Sequence, residues 1–271
     1  MKATTRFQSG WYRALAQASH AIDPGTWPYF AERIRRRLLG DRPLLLESER
    51  VESLYGIHVV SLTEALRSLG LPEISEDPRK RHAALFDEGE RRIARLGVPF
   101  QSLSIAGEAD VHLIHSVACA VRPRRVLETG VALGWSSLVL LKAVEETGGH
   151  LVSVDLPYPF LLGSAWVGIV VPMELRKRWT LIKKADSLGL PQALRTQPDF
   201  DLIHYDSDKS AAGRRWAYPL LWSVLRPGGV LISDDVGDNE AWAEFCLEVA
   251  HPMIVVRRGH SLAGILRKPC I

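Results

Sequence analysis

The chain has 271 residues, 46% hydrophobic and 24% charged, which excludes a wholly disordered or collagen-like protein and suits one large α/β unit with an extension. Its 34 Lys and Arg against 31 Asp and Glu leave a formal charge of +3, too small a surplus to argue for nucleic acid. The three cysteines, Cys119, Cys246 and Cys270, are too far apart for a disulfide framework or a zinc knuckle and are expected to be reduced thiols.

No signal-peptide core is visible at the N-terminus, and the most apolar stretch, Pro159 to Met173, is broken by Gly163, Gly168 and Pro172. A membrane span needs about 20 apolar residues, so membrane association is not expected and a cytoplasmic location is. Residues 1–100 read as a helical extension. Helices are predicted over Thr26–Leu39, Leu62–Leu69, with Ser61 and Glu64 forming a capping box, and Lys80–Leu96, each closed by a glycine. The charge-rich third helix reads as a solvated face; as a group these helices could cover a pocket or form a homodimer contact.

From Gln101 the pattern changes. A helix over Glu108–Val121 ends at Pro123. Apolar runs then follow at Arg125–Glu128, Leu151–Asp155, Trp179–Lys183, Phe200–Tyr205 and Val230–Ser233, apolar nearly throughout rather than alternating, as buried parallel strands are. Helices are predicted between most of them, at Ser136–Glu146, Met173–Arg178, Gly213–Leu225 and Asn239–Ala250. Met253–Val256 and Leu262–Leu266 are joined by too few residues for a parallel crossover and must pair antiparallel. Residues 101–271 thus read as a doubly wound α/β sheet finished by an antiparallel hairpin.

Val126-Leu-Glu-Thr-Gly-Val-Ala-Leu-Gly-Trp-Ser136 stands where the first of these strands turns into a helix. Gly130 and Gly134 permit positive φ and close approach of a ligand, and the helix start offers free N–H groups to an anion. The spacing is neither G-x-G-x-x-G nor a P-loop, and no lysine follows to meet a triphosphate. A carboxylate is therefore the expected anion, with Ser136 as a donor and Glu128 facing an ammonium group: a zwitterionic amino-acid end. A tight turn with no ligand is the plainer alternative. Asp155, closing the next strand, lies where ribose hydroxyls are held in nucleotide-binding sheets, and Asp186 is placed to accept from an exocyclic amine.

These motifs resemble the class I S-adenosylmethionine-dependent methyltransferases from about Ser104 onward. Glu128-Thr-Gly-Val-Ala-Leu-Gly134 is similar to that family's first motif, and within it to the catechol and caffeoyl-CoA types of O-methyltransferase. The resemblance implies a seven-stranded Rossmann-like sheet, S-adenosylmethionine as cofactor, and a hydroxyl of a small phenolic or sugar-containing molecule as acceptor.

Asp206 follows the fourth strand and Asp234 and Asp235 follow the fifth, which brings three negative charges to one crevice. A divalent cation, Mg²⁺ or another, would relieve that repulsion and orient the acceptor oxygen. In the catechol type the resemblance implies an aspartate at 206 and an Asp-Asn pair; Asp235 departs from the asparagine and matches the Asp-Asp of the macrocin type. Asp206 also belongs among the expected cofactor contacts. Lys209 matches the catechol-type base and Asp208 the macrocin-type one. The plainer reading is that these acids cap helices and pair with Arg214 and Arg215.

His204, inside an apolar strand, reads as a core histidine. Trp216, Tyr218 and Trp222 are expected to pack on the sheet, with Pro219 kinking or delaying their helix. Leu156–Val171 is left open between a substrate lid and buried packing. A nicotinamide oxidoreductase lacks support without G-x-G-x-x-G, and a base-modifying methyltransferase without Asn/Asp-Pro-Pro-aromatic. A metal-independent methyltransferase and a non-catalytic cofactor-binding protein remain as alternatives.

Overall fold

A computed structural model describes residues 48–97, 109–157 and 163–270. The predicted helix over Thr26–Leu39 lies outside the described residues. Strands β1 (Val59–Val60), β2 (Arg125–Thr129), β3 (His150–Asp155), β4 (Trp179–Lys183), β5 (Phe200–Tyr205), β6 (Leu225–Ser233), β7 (Val255–Arg258) and β8 (Ser261–Arg267) form one sheet. Their order is β1-β7-β8-β6-β5-β2-β3-β4, parallel except where β8 runs antiparallel to both β6 and β7. The predicted sheet and terminal hairpin are present. The eighth strand is β1, two valines paired parallel to β7 and too short to show a period in the sequence.

Strands β2, β3, β5 and β6 are buried nearly throughout because both faces are covered. On one face Val126, Leu202, Val230 and Ile232 pack under helices α2 (Leu62–Ser68), α4 (Ala83–Leu96), α5 (Val111–Val121) and α6 (Trp135–Thr147). On the other, Leu127, Ile203, Tyr205 and Leu231 pack under α8 (Asp186–Thr196), α9 (Ala211–Val224) and α10 (Ala241–Glu248). Three further helices, α1 (Ser48–Tyr55), α3 (Pro78–Arg81) and α7 (Gly163–Trp166), complete the described set.

Local chemistry sets the helix ends. Ser61 and Glu64 form the predicted capping box on α2, and Asp110 and Ser210 accept from backbone N–H groups at the starts of α5 and α9. Helix α4 is charged on its outer side, where Glu88 pairs with Arg91, Arg92 and Arg95, and ends at Gly97 in the left-handed region. Its inner side reaches the start of α6: Phe86 stacks on Trp135 with centroids 5.1 Å apart, and a Cβ on Gly89 would lie 2.7 Å from the Trp135 ring. Helices before residue 100 are thus packed into the same core as the strands.

Three expectations are corrected. Met173–Arg178 is not an α-helix: after Pro172 the chain makes i→i+3 turns and one 3₁₀ turn at Arg176–Arg178. Helix α8 was unforeseen because Gly189 and Pro191 interrupt its pattern. Trp216 is 44% exposed, whereas Tyr218 is buried and Trp222 packs beside it on the core. Pro219 sits inside α9 without ending it. Among the described residues, no helix is long and apolar enough to cross a membrane.

Candidate active site at the C-terminal rim of the sheet

The turn leaving β2 has positive φ at Gly130 (79°), Ala132 (46°) and Gly134 (98°). The glycines also allow neighbours to approach. A Cβ on Gly130 would lie 2.1 Å from the Asp206 carbonyl oxygen, and one on Gly134 would lie 2.8 Å from Gly168 Cα. The segment Trp166–Val171 runs along the turn, with Gly168 N donating to Ala132 O and Val170 N to Leu133 O. Trp166, Val167, Val170 and Val171 are buried, so this half of Leu156–Val171 is packing; residues 158–162 lie outside the described residues.

Glu128 is fully buried under the turn and accepts three hydroxyl hydrogen bonds, from Ser136 (2.6 Å), Ser137 (2.6 Å) and Ser153 (2.7 Å). Ser136 is therefore engaged with Glu128 in this structure. Asp155 Oδ1 accepts from Val131 N and Ala132 N, clamping the end of β3 to the turn. Burial raises the Asp155 pKa, and those two N–H groups oppose the rise. Asp186, opening α8, accepts from Ser207 Oγ at 2.5 Å, and Ser207 Oγ also reaches Thr129 Oγ1 at 2.8 Å. Burial pushes Asp186 up to about 6, against the Ser207 hydrogen bond.

Beyond β5, Asp206 is pushed up to about 7, first by burial and then by the charge of Asp234. Lys209 Nζ lies 3.1 Å from Asp206 Oδ1 and bonds Asp235 Oδ2. Burial works against the Lys209 charge, but Asp206 and Asp235 outweigh it and hold its pKa above the ordinary lysine value. That is the reverse of the depressed pKa a lysine base needs. Asp235 has φ 52°, and its Oδ1 accepts from Ser261 Oγ at 2.6 Å. Arg214, fully buried, donates to the Asp234 and Asp235 carbonyl oxygens and so fixes this corner of the chain. Asp208 Oδ1 accepts from Ser210 N, at the start of α9.

One group among the described residues has a donor set for a metal ion: His204, Asp206 and Asp234, with ligand atoms all within 4.8 Å of one another. His204 is completely buried; its Nε2 lies 3.5 Å from Asp234 Oδ2 and its Nδ1 3.9 Å from Glu128 Oε1. Neither ring nitrogen has a hydrogen-bond partner. Orphaned nitrogens beside two carboxylates fit a divalent cation. Both strand neighbours of this histidine, Ile203 and Tyr205, are apolar or aromatic, so nothing in the pattern sets it apart from the core.

Residues 127–236 match a family described as a methyltransferase domain. That stretch spans the glycine turn, Asp155, Asp186, Asp206, Asp234 and Asp235. The chain's architecture is the class I S-adenosylmethionine-dependent methyltransferase fold. A putative O-methyltransferase from Klebsiella pneumoniae superposes with a TM-score of 0.50 and 16% identity, covering 81% of this chain and 99% of that one. An O-methyltransferase from Bacillus cereus, in complex with SAH, superposes at 0.51 and 15% identity, covering 80% and 100%. No curated protein has a sequence that matches this chain.

Proposed function

We propose that this chain transfers a methyl group from S-adenosylmethionine to a hydroxyl of a small phenolic or sugar-containing molecule, with a divalent cation holding the acceptor. The observation that carries the reading is one juxtaposition: the Gly130 turn touches the Asp206 backbone, so the cofactor turn and the acid cluster share one crevice. S-Adenosylhomocysteine bound to the Bacillus cereus O-methyltransferase supports the choice of cofactor.

In this reading the turn of Gly130 to Gly134 and the N-terminus of α6 receive the amino-acid end of the cofactor, braced from below by Glu128 and Ser136. Asp155 faces the ribose and Asp186 the base. The acceptor oxygen attacks the methyl carbon as the carbon–sulfur bond breaks, and S-adenosylhomocysteine leaves. Holding oxygen and methyl in line supplies most of the rate. Asp206 and Asp234 would hold the cation, with Asp235 beside them bonded to Lys209 and Ser261; when bound, the cation lowers the acceptor hydroxyl's pKa. Lys209 is the residue assigned to take the hydroxyl proton: Asp206 and Asp235 keep its own proton on, and a cation that takes Asp206 weakens that hold. Asp208 is the alternative base, turned in this structure toward the start of α9.

A second reading has one specific observation in its favour. The Lys209 ammonium already sits between Asp206 and Asp235, and a permanent cation there would make the transfer metal-independent. Calorimetry with S-adenosylhomocysteine, then methyl transfer to a phenol and sugar panel with and without chelator, tests both. Binding with chelator-sensitive turnover supports the first reading, and chelator-insensitive turnover the second. Binding without turnover on any acceptor leaves a cofactor-binding protein, and no binding overturns all three.

A further inference from the structure

We propose that His204 is a direct ligand of the divalent cation, in a His204–Asp206–Asp234 set that Asp235 does not join. The inference rests on the metal-dependent reading above and changes which metal the site selects.

His204 and Asp206 are two residues apart along β5 and its extension, so their side chains leave the same face of the sheet. Asp234 follows β6, whose Ser233 is in register with Tyr205 of β5. These three side chains therefore converge, with donor atoms within 4.8 Å of one another. His204 Nε2 is buried without a hydrogen-bond partner and lies 3.5 Å from Asp234 Oδ2, while Asp206 Oδ1 meets Lys209 Nζ at 3.1 Å on its other side. A buried polar group without a partner is rare in a stable fold, and an imidazole nitrogen that faces two carboxylates asks for a cation shared with them. Two carboxylates beside an imidazole offer a divalent cation a donor set inside a site with little access to water.

Asp235 is committed elsewhere. Its Oδ2 bonds Lys209 and its Oδ1 accepts from Ser261 Oγ, while Arg214 holds its carbonyl oxygen. Lys209 is 43% exposed along its side chain and His204 not at all, so the lysine meets Asp206 from the solvent side and leaves the inner position to the imidazole. An imidazole ligand suits first-row transition ions, whereas Mg²⁺ takes oxygen donors. The site should accordingly prefer Mn²⁺ or Co²⁺ to Mg²⁺.

The test uses the full chain stripped with chelator and loaded with Mn²⁺. Three-pulse electron spin-echo spectra of the wild type should show nitrogen coupling from a directly bound imidazole. His204→Phe keeps an aromatic ring in the core and removes both nitrogens; it should abolish the coupling and weaken Mn²⁺ binding at least about tenfold, with Mg²⁺ binding changed less. S-Adenosylhomocysteine binding reports that the variant is folded, and His204→Asn serves if it is not. Mn²⁺ that binds, is lost in Asp206→Asn and yet shows no nitrogen coupling overturns the His204 assignment while the metal reading stands. A wild type that binds neither Mn²⁺ nor Mg²⁺ at millimolar concentration overturns the metal reading, and His204 with it.

Discussion

The hydroxyl of Ser136 donates to Glu128 Oε1 at 2.6 Å, joining the first turn of α6 to the strand it follows. Glu128 accepts two further serine hydroxyls, so one buried carboxylate holds β2, β3 and α6 together. Glu128→Ala should leave those hydroxyls without an acceptor and destabilise the fold by about 3 kcal/mol or more. Glu128→Gln keeps an acceptor and should lose clearly less. Urea unfolding of the two variants, followed by circular dichroism, checks the order.

Gly130 and Gly97 both have positive φ, at 79° and 63°, but only Gly130 is crowded. Gly97→Ala should cost about 1 kcal/mol, since nothing lies within 4 Å of the added Cβ. Gly130→Ala adds a collision with the Asp206 carbonyl and should cost more than about 2 kcal/mol, with loss of S-adenosylhomocysteine binding. Equal costs would contradict the close approach of the turn to Asp206.

Asp186 should make stability depend on pH. Its folded-state pKa of about 6 lies above the ordinary 3.8, so the folded chain binds this proton more tightly than the unfolded chain. The stability this group contributes is fully present below about pH 4 and lost as pH rises through 6. Asp186→Asn should therefore be more stable than wild type at pH 7 to 8, the gain shrinking toward pH 4. Thermal melts of both proteins across that range measure it.

Asp206→Ala should lower methyl transfer by at least about a hundredfold while S-adenosylhomocysteine binds within tenfold of wild type. Activity in chelator should be as low for wild type as for the variant. A variant that keeps its rate removes Asp206 from the chemistry.

Much of this was visible in the residues alone. The strand runs are apolar for most of their length because helices cover both faces, and the positive φ at Gly130 and Gly134 is foreshadowed by their place after β2. Helix α8 was hidden because Pro191 and Gly189 suppress helical periodicity, although the packing of Leu190 and Ala193 forms the helix anyway. The Ser136 to Glu128 hydrogen bond is not legible in the sequence, which does not show that Glu128, eight residues earlier, turns inward to accept it. His204 stayed hidden for a related reason: its neighbours along the chain are apolar, while Asp234 and Glu128 reach it from adjacent strands.

The two valines of β1 have an effect beyond their length. By pairing with Val255 and Val256 they occupy the outer hydrogen-bonding edge of the terminal hairpin. Cutting the chain near residue 100 to isolate the cofactor-binding portion would strip that cover and leave β7 with open N–H and C=O groups, a template for strand exchange between molecules. The shortened protein should self-associate, and soluble preparations will need the segment from Val59 retained.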